Sequence, residues 1–581
     1  MVTTTRPLTL EDFESDDPVP SSSGGLLTLL LNEQRTLTAV EEFSFSHDQE
    51  SAPAQSQYYS KLMPISVPGE GEQYAFEVEL DRCSGCKACV TACHSLNGLD
   101  ESETWRDVGL LIGGTESNPV MQHVTTACHH CVEPGCLIAC PVNAYEKDPQ
   151  TGIVRHLDDQ CFGCQYCTLA CPYNVPKYHS KKGIVRKCDM CSSRLDVGEA
   201  PACVQACPHE AISIKVVNIE TVKENAEADS FLPAAPEPYL TLPTTNYKTS
   251  RVFPRNTLPA DYFSISAQHP HLPLIIMLVL TQLSVGAFTV GCAIDASTGS
   301  SLLDLFRPLQ ATNALIFGLL ALAASTLHLG RPQYAFRGIL GFRHSWLSRE
   351  IVAFGLFAGL AVAYSLFTWM TLKPPIEMSI ADIWIATALP SMGMLVAVTG
   401  FVGVLCSVMI YVFTKREFWN FDRTLIRFLF TSFVLGVATT MLTAFAMPLM
   451  QPNISFSSLA DHLLIPLTRA LIVGATAKLV YDAMLFRYLL DFRYTPMKRS
   501  AMLCAGPLRW ITVTRFAVGA IGGILLPALL LNQFAEMSSV SGGLLAVAFG
   551  IWALCLTGEF LERYLFFAAV SAPRMPGGVR G

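Results

Sequence analysis

Sixteen of the twenty cysteines in this 581-residue chain lie between Cys83 and Cys207, in four groups of four. The groups read Cys83-x2-Cys86-x2-Cys89-x3-Cys93, Cys128-x2-Cys131-x4-Cys136-x3-Cys140, Cys161-x2-Cys164-x2-Cys167-x3-Cys171 and Cys188-x2-Cys191-x11-Cys203-x3-Cys207. Three thiolates separated by about two residues on one tight loop can reach three irons of a single cubane, while a fourth, three residues on, points elsewhere. The chemistry this spacing predicts is one-electron transfer through 4Fe-4S clusters. A proline follows Cys140, Cys171 and Cys207 and turns the chain away from each loop, whereas His94 takes that place in the first group.

The third group is the unaltered run of the bacterial ferredoxins, in which the fourth cysteine completes the other cluster of a pair. Sixteen cysteines working in pairs imply four 4Fe-4S clusters. A disulfide scaffold would suit a small secreted chain, but Met1 to Glu33 carries a lone Arg6, an acidic patch from Glu11 to Asp17 and only a short apolar stretch, unlike an export signal. Zinc ribbons pair cysteines across a longer gap and lack the Cys-x2-Cys-x2-Cys triplet.

Composition divides the chain. Residues 1–270 hold 19 Lys and Arg against 35 Asp and Glu, while residues 271–581 hold 21 against 13. An acidic cysteine-rich half argues against nucleic-acid binding, which needs a basic face. The second half contains eight apolar stretches of roughly the 20 residues that cross a bilayer, near 272–294, 311–329, 350–371, 388–412, 426–449, 463–486, 512–533 and 542–566. Segments such as Ile351 to Leu366 are apolar all round, which suits a membrane helix better than a soluble one. The predicted fold is an α+β ferredoxin-like domain of two nested two-cluster units, followed by an all-α bundle of eight transmembrane helices.

Alternate loops carry the positive charge: Arg331, Arg337, Arg343 and Arg349, then Lys415, Arg416, Arg423 and Arg427, then Arg487, Arg493, Lys498, Arg499 and Arg509. The intervening loops hold only Arg307 and Lys373. The positive-inside rule then makes this a multi-pass protein of the cytoplasmic membrane, with the iron-sulfur domain and both termini on the cytoplasmic side. The expected order is a flexible N-terminal extension over 1–75 with one amphipathic helix near Leu26 to Val40, the cluster domain over 76–216, a proline-rich extended linker over 217–270, the membrane bundle over 271–570 and a tail over 571–581.

Particular residues carry a resemblance. Gln73-Tyr74-Ala75-Phe76, Cys128-His129-His130-Cys131, Lys187-Cys188-Asp189-Met190-Cys191 and Cys203-Val204-Gln205-Ala206-Cys207-Pro208 resemble the four-cluster electron-transfer subunit of the dimethyl sulfoxide reductase family of molybdenum oxidoreductases. Leu327-His328-Leu329-Gly330-Arg331-Pro332, Ser348-Arg349-Glu350-Ile351 and Gly558-Glu559 with Arg563 resemble the membrane-anchor subunit of the same enzymes. The chain thus looks like a fusion of two subunits. The resemblance implies the pairing that spacing leaves open: Cys83, Cys86, Cys89 with Cys207; Cys188, Cys191, Cys203 with Cys93; Cys128, Cys131, Cys136 with Cys171; and Cys161, Cys164, Cys167 with Cys140.

A wire of clusters beside a membrane needs a lipid-soluble donor or acceptor, and a quinone, menaquinone or ubiquinone, fits. Oxidising a quinol releases protons as well as electrons, so the site needs a group that titrates near neutral pH. A histidine's ordinary pKa of about 6.5 suits His328 to that role. Arg331, Glu350, Glu559 and Arg563 lie at similar depth on the same side and complete the candidate quinone set. The competing view makes Glu559 and Arg563 an i,i+4 ion pair and His328 a helix cap. Span six adds Arg469, Lys478 and Asp482, the last two again four apart.

No pair of facing histidines suits a haem, and Cys292, Cys406, Cys504 and Cys555 read as packing. No constellation for substrate chemistry and no nucleotide fingerprint is present. The resemblance therefore implies a separate large catalytic subunit with a molybdenum or tungsten pterin. The reading is of a non-catalytic electron-transfer and anchor subunit; the alternatives are an ion-translocating redox complex and a membrane redox sensor.

Overall fold

The computed structural model describes residues 38, 40–41, 44, 56–101, 103–297, 305–372, 380–451, 456–534 and 541–577, so the helix expected near Leu26 to Val40 falls mostly outside the described residues. The cysteine-rich half is framed by β1 (Glu72–Glu79), whose Gln73, Ala75, Phe76 and Val78 face inward. β2 (Asp107–Thr115) and β3 (Asn118–Thr126) form a hairpin after the first cysteine group. Short hairpins follow the second and third groups: β4 (Tyr145–Lys147) with β5 (Val154–His156), and β6 (Lys177–His179) with β7 (Ile184–Arg186). β8 (Ile212–Asn218) follows the last cysteine and pairs antiparallel with β1, Glu72 opposite Asn218 and Val78 opposite Ile212. That pairing brings the first and fourth cysteine groups together from opposite ends of the domain, and leaves the second and third to meet inside.

The segment 217–270, expected as an extended linker, is more structured than its prolines suggest. It holds the helix Ile219–Glu227, capped by the Asn218 side chain, and two short strands. β9 (Asn246–Lys248) adds to β1 in parallel and β10 (Leu258–Pro259) adds to β2. Proline forbids interior helix and ladder donors, but it leaves the residues between free to pair with an existing edge. The end of the N-terminal extension also packs, through buried Tyr59 and Leu62. So does the C-terminal tail: Met575 enters the core of the cysteine-rich domain, Arg574 pairs with Asp261 at 2.5 Å, and the Leu110 amide donates to the Gly577 carbonyl at 3.2 Å.

Among the described residues eight helical spans are long and apolar enough to cross a membrane: Leu272–Ser297, Phe306–Thr326, Trp346–Met370, Ala386–Phe413, Phe421–Met450, Phe456–Leu490, Arg509–Gln533 and Gly542–Ala568. They coincide with the eight predicted stretches to within a few residues at most ends. Spans one and five are the most enclosed, 72% and 78% buried in their apolar windows, and form the centre of the bundle. The two ends of the bundle meet beside the cysteine-rich domain, where the Gln268 amide donates to the Ala568 carbonyl at 3.0 Å.

The two halves are joined by backbone as well as by side chains. The Arg331 amide donates to the Phe162 carbonyl at 3.0 Å, the Gly341 amide to Pro141 at 2.8 Å, and the Ser345 hydroxyl to Ala139 at 2.6 Å. Gly163 and Gly183, both with positive φ, face Gly330 so closely that a Cβ on Gly330 would collide with the Gly183 carbonyl. Gly330→Ala is therefore expected to weaken the docking by about 1–3 kcal/mol, the usual cost of overpacking. The check is thermal unfolding of the detergent-solubilised protein with protease sensitivity of 217–270; an unchanged midpoint and cleavage rate would contradict it.

Candidate electron-transfer site

The strand frame sorts the sixteen cysteines into four sets. Cys83 has Cys89, Cys207 and Cys86 as its charged neighbours, set A. Cys93 lies with Cys203 and Cys191, and Cys188 with Cys93 and Cys191, set B. Cys136 meets Cys171, Cys128 and Cys131, set C. Cys167 meets Cys164, Cys140 and Cys161, set D. The sets form a row: Cys89 of A neighbours Cys203 of B, Cys188 of B neighbours Cys128 of C, and Tyr145 stands against Cys136 of C and Cys167 and Cys140 of D.

The loops fit a cluster. In every group the residue before the second cysteine has positive φ: Gly85 at 74°, His130 at 40°, Gly163 at 75° and Met190 at 63°. Such a turn points successive amides into one hollow, the backbone concavity that receives anions and iron-sulfur centres. His130 and Met190 hold a conformation unfavourable to residues with a Cβ, which is strain of the kind concentrated at functional sites. Burial, then repulsion from Cys203, raises the Cys93 thiol to about 12, and burial likewise raises Cys171 and Cys191 to about 11. Thiols held so far from ionisation need a bound cation to become thiolates, and an iron core supplies one. Among the described residues no three His, Cys, Asp or Glu converge as ligands of a single ion, so the sets are spread more widely than a zinc site.

Set D faces the membrane half. Ala139, Tyr166 and Ala170 belong to the hydrophobic core of the bundle, and Cys164 packs against it. The Tyr166 hydroxyl donates to the Ile410 carbonyl of span four at 3.0 Å, and a terminal nitrogen of Arg416 to Leu169 at 3.4 Å. At the other end of the row Cys86 is exposed.

The five predicted quinone residues divide among four places. Glu350 is 3% exposed, accepts a short hydrogen bond from Ser407, and neighbours Tyr166 and Tyr411. His328 stands partly buried at the end of span two near His271, and no hydrogen bond joins it to Glu350 among the described residues. Arg331 clamps the cysteine-rich domain, donating to the Asp158 carbonyl at 3.0 Å and the Lys182 carbonyl at 3.2 Å. Glu559 and Arg563 sit in a polar network buried between spans one, five, six, seven and eight, with Arg563 near the same Tyr411 that neighbours Glu350.

In that network Lys478 pairs with Glu559 and donates to the Thr431 hydroxyl at 2.6 Å. Arg515 reaches Asp482 at 3.1 Å and Glu559 at 3.2 Å, and Arg563 donates to Gln282 at 2.9 Å and Thr431 at 3.2 Å. The i,i+4 pairs suggested by sequence, Glu559 with Arg563 and Lys478 with Asp482, do not form among the described residues; each residue bonds to other spans, and Arg563 also pairs with adjacent Glu562 at 3.5 Å. Arg469 is exposed on the bundle surface, apart from the network.

Residues 266–568, more than half the protein, match the DMSO reductase anchor subunit (DmsC) family, and residues 119–217 match the 4Fe-4S dicluster domain. This chain belongs to the DMSO reductase anchor subunit family. It is 33% identical over 174 residues to an anaerobic dimethyl sulfoxide reductase subunit of Haemophilus influenzae, covering 28% of this protein and 84% of that one. It is 36% identical over 143 residues to the thiosulfate reductase electron transfer subunit PhsB of Salmonella typhi, 24% of this protein and 74% of that one. The hydrogenase-2 operon protein HybA of Escherichia coli O157:H7 is 38% identical over 156 residues, 22% of this protein and 48% of that one. This anchor subunit therefore carries its iron-sulfur electron-transfer domain on the same polypeptide.

Several residues of the fused anchor escape a reading by spacing. Thr241 of the linker donates to Cys131 Sγ at 3.3 Å, and the Ala144 and Ala211 amides, each four residues past a fourth cysteine, donate to Cys140 and Cys207 Sγ at 3.2 and 3.3 Å. Tyr166 and Ser407 gain their roles only when the halves dock. Within the network, Glu559→Leu strands Lys478 without a carboxylate and is expected to cost about 3–5 kcal/mol. The Glu559→Leu/Lys478→Met double variant should recover most of that loss. Thermal unfolding of the single and double variants decides it; simple additivity would show that the pair is not coupled.

Proposed function

We propose that this protein carries electrons between the membrane quinone pool and a separate large catalytic subunit with a molybdenum or tungsten pterin, through four 4Fe-4S clusters held by sets A to D. The observation that carries this reading is the seating of set D on the bundle directly beside Tyr166 and buried Glu350. Bound clusters supply one-electron transfer along the row. Glu350, with the Ser407 hydroxyl donating to it, is the group that accepts a proton from a quinol hydroxyl, and His328 is a second base at the same membrane face. Glu559 and Arg563, the latter near Tyr411, hold the polar wall of the quinone region, while Arg331 keeps set D against it.

The names of the dimethyl sulfoxide reductase and thiosulfate reductase relatives support a catalytic partner of the same kind, and exposed Cys86 marks the end of the row where it docks. The alternating loop charges support a cytoplasmic location for the iron-sulfur domain and both termini. The buried charges of spans five to eight favour a second reading, an ion-translocating complex; quinol oxidation in sealed vesicles without charge movement would exclude it.

Iron analysis of the purified protein is expected to give about sixteen irons, four per cluster. Glu350→Gln and His328→Ala should each lower quinol oxidation at least roughly tenfold, the low end of the usual contribution of acid–base groups being about a hundredfold. Iron content should stay at the parent level. Full activity in both variants would sink the quinone assignment.

A further inference from the structure

Among the described residues, two cations are buried inside the iron-sulfur domain with no ion-pair partner. Arg106 is 2% exposed; its guanidinium lies 4.6 Å over the Phe76 ring, one terminal nitrogen donates to the Thr125 hydroxyl at 3.1 Å, and the other has no hydrogen-bond partner. Lys187 is 3% exposed and donates to the Val154 carbonyl, to the Cys188 carbonyl at 2.7 Å and towards Cys128 Sγ at 3.7 Å. Among the described residues neither forms an ion pair with Asp or Glu. Burying an unpaired charge is costly enough that native proteins pair it or bind a counterion.

The nearest groups of opposite sign to both residues are cysteines of the sets, and they come from two sets at once. Arg106 faces Cys89 of set A and Cys203, Cys188 and Cys93 of set B. Lys187 faces Cys128 and Cys136 of set C and Cys188 of set B, with Asp189 a lesser neighbour that forms no ion pair with it. Two histidines nearby are engaged elsewhere: His129 Nδ1 lies 2.8 Å from the Thr245 hydroxyl, and His130 Nδ1 accepts from the Val154 amide at 3.0 Å. Between sets C and D the intervening side chain is a neutral phenol, Tyr145.

We infer that Arg106 and Lys187 are the fixed countercharges of the electron path, each set between two clusters and raising the reduction potential of both. A cluster gains one negative charge with each electron and no proton, so a buried cation between two of them stabilises the reduced form of either. The low-dielectric surroundings strengthen that effect, and the absence of a direct ion pair leaves the charge available. Their role is to position charge, not to touch substrate. The inference rests on the four-cluster reading.

The test is an EPR-monitored redox titration of the full-length protein, with iron measured on the same sample. Arg106→Gln should shift the centres of sets A and B to more negative midpoints, and Lys187→Gln those of B and C, while the set D centre stays put as an internal reference. Arg106→Lys and Lys187→Arg, which keep the charge, should remain near the parent. Arg106→Met offers a second route, because it removes the charge while keeping an unbranched side chain over Phe76 and should give the same downward shift even if Arg106→Gln fails to assemble. Full iron with unmoved midpoints in the glutamine and methionine variants overturns the inference alone. A parent protein with far less than about sixteen irons overturns the four-cluster reading and the inference with it.

Discussion

The loop between spans two and three donates from its backbone to the carbonyls of Phe162 and Pro141, and the separation between the cluster row and the membrane depends on those bonds. Backbone donors hold their positions whatever the side chains do, so the register between the two halves is set by main chain and tightened by Ser345 and Arg331. Everything polar on either side is arranged about this seam. Set D lies on one side, Tyr166 crosses it, and Glu350 waits on the other.

The two halves treat buried charge in opposite ways. In the bundle, Lys478, Arg515 and Arg563 are bonded to carboxylates, an amide and hydroxyls from several spans, so that helices with little hydrophobic reason to prefer one neighbour over another are tied into one arrangement. In the iron-sulfur domain, Arg106 donates to the Thr125 hydroxyl and Lys187 to backbone carbonyls, and neither has an ion-pair partner among the described residues. A cation paired with a carboxylate stabilises the fold, whereas one without an ion pair is available to a redox centre.

Features encoded over a short stretch of sequence are legible in it. The cysteine triplets and the eight spans each depend on spacing within a few tens of residues, and both are found where the pattern puts them. The partners of Glu559 and Lys478 are not legible, because i,i+4 proximity is the only pairing a single helix displays, and here the nearer partners come from other spans. The order in the linker is hidden for a related reason: its prolines report what the backbone cannot do locally, and say nothing of the open edges of β1 and β2 that β9 and β10 fill. The cysteine sets are a middle case, since their grouping follows from the β1–β8 pairing, which joins residues on either side of all sixteen.

The packing of Met575 into the core of the iron-sulfur domain carries a consequence for biosynthesis. The strand it packs beside, β2, leaves the ribosome long before the tail that completes it; at about 5–20 residues per second the interval is on the order of 20–90 s. During that interval the N-terminal half can fold and take up iron while its last core contact is still missing. The final closure of that domain waits for the eighth span to be synthesised. Maturation of the electron path is thereby coupled in time to completion of the anchor.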